Sequence, residues 1–101
     1  MEFEHKWEFE SEDDIQDIFT YGRKELNDLI VDTALDNLHT KIDDIPVVSI
    51  YTKDTDMFYD IMIERPDMVE TLEQNLILME DFEDYKRCQK ITDAIFYLNN
   101  K

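Results

Sequence analysis

At 101 residues the chain can form one domain with a modest core, which leaves no room for separate substrate and cofactor domains. A hydrophobic fraction of 43%, with one Trp, five Tyr and six Phe, excludes a disordered acidic tail, because such tails lack the apolar surface that drives folding. The net charge of −16, from 26 acidic against 10 basic residues, opposes direct binding to nucleic acid or to anionic membranes at ordinary salt.

In chain order, "EFEHKWEFE" alternates well enough for a short strand or an ordered arm over 1–10, anchored by Phe3, Trp7 and Phe9. "SEDDIQDIF" then opens a long N-terminal helix. Ser11 is placed to cap it, and Glu12, Asp13 and Asp14 sit where the positive end of the helix dipole favours acids. Ile15, Ile18, Phe19, Leu26, Leu29, Ile30, Ala34 and Leu38 supply its apolar side, and Gly22 allows a bend or a split. The segment 46–63 places β-branched and aromatic residues on both sides of Lys53–Asp56, which favours a β-hairpin. The rival reading makes "DTDMFYDIMIE" a helix capped by Thr55, since Phe58, Ile61 and Met62 also fit a period of 3.6. Pro66 punctuates, and Asp67 with Glu70 offers a capping box for a helix carrying Met68, Leu72, Leu76 and Met79 in one stripe. After the acidic corner "EDFED", a last helix carries Tyr85, Cys88, Ile91, Ile95 and Leu98 at intervals of three and four. The two stripes should face each other as an antiparallel helical hairpin over 67–99. The expected fold is therefore an α-rich α+β single domain.

The lone Cys88 cannot form an intramolecular disulfide, and no apolar run reaches the length of a signal sequence or membrane span, so a reducing cytoplasmic setting, that of a host cell if the protein is viral, is expected. The acidic start is read as part of the mature protein.

Catalytic and metal chemistry find little material. With one glycine, the phosphate-loop and dinucleotide fingerprints are absent. "DTDMFYDIMIER" fails as a calcium loop, because Phe58 and Tyr59 fall on ligand and glycine positions and Arg65 replaces the terminal glutamate. His5 and His39 lie in different elements without further zinc ligands and read as surface residues. Cys88 falls on the apolar stripe, where a small core residue is expected rather than a nucleophile. The expectation is thus no enzyme, no cofactor and no metal, with the acids of the corner solvating it and capping the following helix.

"LEQNLILMEDFEDYKRCQKITDAI" resembles the UVR-type helical hairpin of the UvrB and UvrC excision-repair proteins and McsA-like adaptors. Tyr85 takes the aromatic place, Cys88 the first small one, Ile91 the aliphatic, Asp93 the acid of an Arg-Asp pair and Ile95 the last aliphatic, with Leu72 and Leu76 in the first helix. The sequence departs from the pattern at Lys86, Gln89 and Thr92, which stand for an acid, an alanine and the arginine. The resemblance covers about 30 residues and implies a module that docks on a partner protein or pairs with a similar hairpin.

Two functional classes follow. The leading one is a non-enzymatic adaptor or accessory protein, whose hairpin binds another protein through Lys86, Arg87 and Lys90, with a homodimer also allowed. Residues 86–101 carry four bases and one acid, in contrast to 54–84 with eleven acids and one base. The alternative is an acidic DNA-mimic inhibitor of the kind phages encode. Asp28, Asp32 and Asp36 recur every four residues, about 6 Å apart on a helix, and could imitate a row of phosphates. Both triplets are expected on solvent-facing surfaces, replaceable without loss of the fold.

Overall fold

The computed structural model describes residues 3–21 and 23–100. The elements are strand β1 (Lys6–Phe9), helices α1 (Glu12–Tyr21) and α2 (Lys24–Asp36), strands β2 (Asp44–Thr52) and β3 (Met57–Glu64), a 3-10 turn (Arg65–Asp67), and helices α3 (Met68–Asp81) and α4 (Tyr85–Asn99). The strands form one mixed sheet in the order β1-β2-β3, with β1 parallel and β3 antiparallel to β2.

This corrects the expected architecture. Among the described residues there is no long N-terminal helix: Arg23 is extended (φ −147°, ψ 124°), and the chain restarts as a separate helix at Lys24. Gly22 and the Phe19 side chain lie outside the described residues. Nor is the β structure confined to a hairpin at 46–63, because β1 joins β2 in parallel and the sheet has three strands. Periodicity within one segment does not reveal this pairing, which depends on two helices carrying the chain across between the paired strands.

The sheet has two unlike faces. A bulge between Pro46 and Val48 turns both Val47 and Val48 inward, where they join Ile45, Ile50 and Ile63 in the core. Ile15, Val31, Ala34, Leu72, Met79, Ile91 and Ala94 complete that core from the four helices. Burying this apolar surface is the main drive for the fold, at about 25 cal/mol per Å². The opposite sheet face carries Lys6, Glu8, Ser49, Tyr51, Phe58 and Asp60.

Polar joints fix the helices. Buried Asn27 on α2 donates to Asn75 on α3 at 3.0 Å, and Asn75 donates in turn to the Thr71 carbonyl at 2.9 Å, so neither amide is stranded in the core. The α1 N-terminus is capped from a distance, its Glu12 N–H donating to both oxygens of Asp54 in the β2–β3 turn at 3.1 Å. The Asp67/Glu70 capping box does not form. Asp67 already has turn-like backbone angles (φ −96°, ψ 4°), and its side chain makes no cap bond. At the end of α2, the Arg65 guanidinium donates to the Asn37 carbonyl at 2.7 Å and to the Ile42 carbonyl at 2.8 and 3.0 Å. It thereby supplies the positive charge that the last turn of α2 lacks.

Candidate functional site

The "EDFED" corner is a helix stop followed immediately by a helix start. Glu83 is left-handed (φ 59°), the Glu83 N–H bonds to the Glu80 carbonyl at 3.0 Å, and the Asp84 N–H bonds to the Met79 carbonyl at 2.9 Å. These two bonds define a Schellman turn with glutamate at the position usually held by glycine. One residue on, Asp84 caps α4, its carboxylate accepting from the Arg87 N–H at 3.2 Å.

The same carboxylate accepts from Arg87 Nη1 at 2.8 Å and from Lys24 Nζ at 2.9 Å. Arg87 reaches across to α2, where its Nε and Nη2 grip the two oxygens of Asp32 at 3.1 and 2.8 Å, a bidentate geometry that strengthens the pair. Nη1 also lies 3.6 Å from Asp28, which Lys24 holds at 3.0 Å. The hydrogen bonds from Arg87 and then Lys24 keep the Asp84 carboxyl well below the usual carboxylate range, despite desolvation that works the other way. Asp32 and then Asp84 raise the Arg87 pKa against its partial burial, and Asp84 followed by Asp28 raises that of Lys24.

The two rival residue sets are therefore halves of one structure. Arg87 of the basic set is joined to Asp32 and Asp28 of the acidic set, and Asp36, Lys86 and Lys90 line the same shallow cleft of about 440 Å³ between α2 and α4. The expectation that Arg87, Asp28 and Asp32 stand free on solvent faces is corrected. They form the seam that holds α2 against α4, and the Arg87 side chain is only 27% exposed. Lys86, Lys90 and Asp36 are exposed.

Residues that carry other readings fall as follows. Burial, then the Glu80 and Asp84 charges, push up the pKa of half-buried Cys88 and keep it protonated at neutral pH. His39 shares a 3.0 Å hydrogen bond with the Tyr97 hydroxyl, their rings edge to face, while His5 is exposed. Of the supposed calcium loop, Asp54 caps α1 and Asp56 accepts from the Tyr51 hydroxyl.

The outward side of α4 sets Tyr85 and Phe96, 66% and 70% exposed, on one stripe with Gln89 and Thr92, beside Lys86 and Lys90. The residues of the UVR resemblance occupy the α3–α4 pair, with Leu72 and Ile91 buried, Leu76, Cys88 and Ile95 half-buried, and Tyr85 and Asp93 exposed. Any antiparallel helix pair needs such an apolar spacing, so the hairpin alone does not set the family. No family model matches the chain, and no curated protein or solved structure matches it either. Among the described residues, no helix is long and apolar enough to cross a membrane.

Sequence reasoning missed Arg65, Asp54 and the Asn27–Asn75 pair. Each acts on an element distant in the chain, a relation that spacing within a segment does not carry. The one available signal was Asn27 and Asn75, polar residues set among apolar ones on their helices.

Proposed function

We propose that the protein is a non-enzymatic adaptor or accessory protein of the cytoplasm that docks on another protein through the outward side of α4. The observation that carries this reading is the pairing of two large exposed aromatics, Tyr85 and Phe96, with Lys86 and Lys90 on the one helix whose charge balance is basic. Aromatic side chains that keep this much surface in water gain most by burial against a partner, and the adjacent lysines steer an acidic partner into register. Arg87 is excluded from the docking set by its ion pairs with Asp32 and Asp84.

Affinity purification of the tagged chain from its native cells, with washes at low and high salt, tests the reading. A partner retained in high salt by the wild type and lost from a folded Tyr85→Ala/Phe96→Ala variant is the expected result. A partner held equally by that variant rejects it. A partner released by salt and displaced by DNA would instead support the acidic mimic, whose row of free carboxylates could not include Asp28 and Asp32.

A further inference from the structure

We propose that the outer face of the sheet is a second docking surface, which takes an extended arginine- or lysine-bearing segment of a partner protein. The strand register sets Lys6, Ser49 and Asp60 in one row across the sheet and Glu8, Tyr51 and Phe58 in the next. Successive same-face rows lie about 7 Å apart, the interval at which alternate side chains of an extended segment recur. The rows line an open depression of about 830 Å³, with Phe3 and Trp7 at its β1 side.

The chemistry of this face selects a cation. Phe58 is 67% exposed, and its ring lies 4.9 Å from that of Tyr51 at a tilt of 40°, so two π faces stand beside carboxylates. Asp60 is oriented by the Ser49 hydroxyl, which donates to it at 2.7 Å, and Asp56 by the Tyr51 hydroxyl. Each carboxylate retains acceptor positions for a guanidinium or ammonium group. Of the cations near this face, Lys53 lies 3.0 Å from Glu10 and 3.9 Å from Glu8, and Lys6 shares the Asp60 row but is separated from Asp60 by β2.

Other occupants are disfavoured by the same charges. A second copy docked symmetrically would set Glu8, Asp56 and Asp60 against their own counterparts, with −16 facing −16. Nucleic acid is repelled for the same reason.

Binding is read by isothermal titration calorimetry, because the register pairs Trp7, the one tryptophan of the sequence, with buried Ile50 and packs it against the core rather than on the outer face. The probe is a nine-residue peptide alternating serine and arginine, titrated at low salt, with a glutamate-for-arginine peptide as control. Saturable binding of the arginine peptide alone is expected. Phe58→Ala, which alters no charge, should weaken binding about two- to fivefold, the range that follows from a surface cation–π contact. Phe58→Leu, which keeps an apolar strand residue without the π face, should do the same. The Tyr85→Ala/Phe96→Ala variant should bind the peptide as the wild type does, so this surface and the α4 surface stand or fall separately. Equal affinity in wild type and both Phe58 variants, or no binding at all, would overturn the proposal.

Discussion

The seam between α2 and α4 and the outer face of the sheet are both charged and both open as shallow depressions, yet they treat charge in opposite ways. In the seam, Asp28, Asp32 and Asp84 are met by Arg87 and Lys24 at 2.8 to 3.6 Å. On the sheet, Asp56 and Asp60 are met by hydroxyl groups, beside a tilted aromatic pair. Charge that is internally answered contributes to the fold. Charge that is only oriented stays available to a partner, so charge density by itself does not locate a binding surface.

The largest expected effect separates the core under both regions from their surfaces. Ile91→Ala should destabilise the protein by roughly 2–5 kcal/mol, because Ile91 is fully buried on the same helix as Arg87. Leu76→Ala should cost less, since Leu76 is only partly buried. Phe58→Ala should fall within about 0.5 kcal/mol of wild type, as expected at an exposed site. Urea denaturation of the three variants checks the order.

Next comes the seam itself. Arg87→Ala removes the partner of three carboxylates and should cost about 1–3 kcal/mol, whereas Lys90→Ala on the exposed side of the same helix should stay within about 0.5. A double-mutant cycle with Asp32→Ala should show positive coupling, which no cycle between Lys90 and Asp32 should show. Equal losses for Arg87→Ala and Lys90→Ala would erase the distinction between the structural cation and the exposed ones proposed for docking.

A smaller effect follows from Asp84. Its alanine variant loses the α4 cap and should cost about 0.5–2 kcal/mol. The pH dependence has a definite sign. Because the folded-state pKa of Asp84 is depressed below the unfolded value, its contribution is present above the ordinary carboxylate pKa of about 4 and fades as pH falls below it. The difference in urea midpoint between wild type and Asp84→Asn should therefore be larger at pH 7 than at pH 3. A difference independent of pH would mean that the carboxylate charge does not matter to the seam.

The legible part of this molecule was local. Strand alternation on both sides of Lys53–Asp56 appears as β2 and β3, and the apolar spacings of Leu72, Met79 and Ile91 correspond to buried stripes on α3 and α4. The illegible part was long-range. Nothing in the spacing of "EFEHKWEFE" says that β1 pairs in parallel with β2, and nothing around Ser11 says that Asp54, 42 residues from the Glu12 N–H it accepts, caps α1 from the hairpin turn. The candidate site shows the same limit. Residues of the right kinds were named on both α2 and α4, but as rivals, because sequence periodicity places residues on helix faces without telling which faces meet.

The smallest expected effect compares the two left-handed residues that flank these regions, Glu83 at the seam and Asp56 at the edge of the sheet face. A non-glycine residue with φ near +55° is strained by its Cβ, and aspartate tolerates this better than glutamate because its short side chain bonds locally. Glu83 has the strain without such a bond among the described residues, while the Asp56 carboxylate accepts from the Tyr51 hydroxyl. Glu83→Gly should therefore stabilise the protein by a few tenths to about 1 kcal/mol, the relief of strain exceeding the added freedom of the unfolded chain. Asp56→Gly relieves less strain and also loses an acceptor that orients Tyr51, so it should be neutral or destabilising. Melting temperatures that rise for the first substitution and not for the second would show that the corner at Glu83 serves the turn alone, whereas the turn at Asp56 also serves the aromatic face beside it.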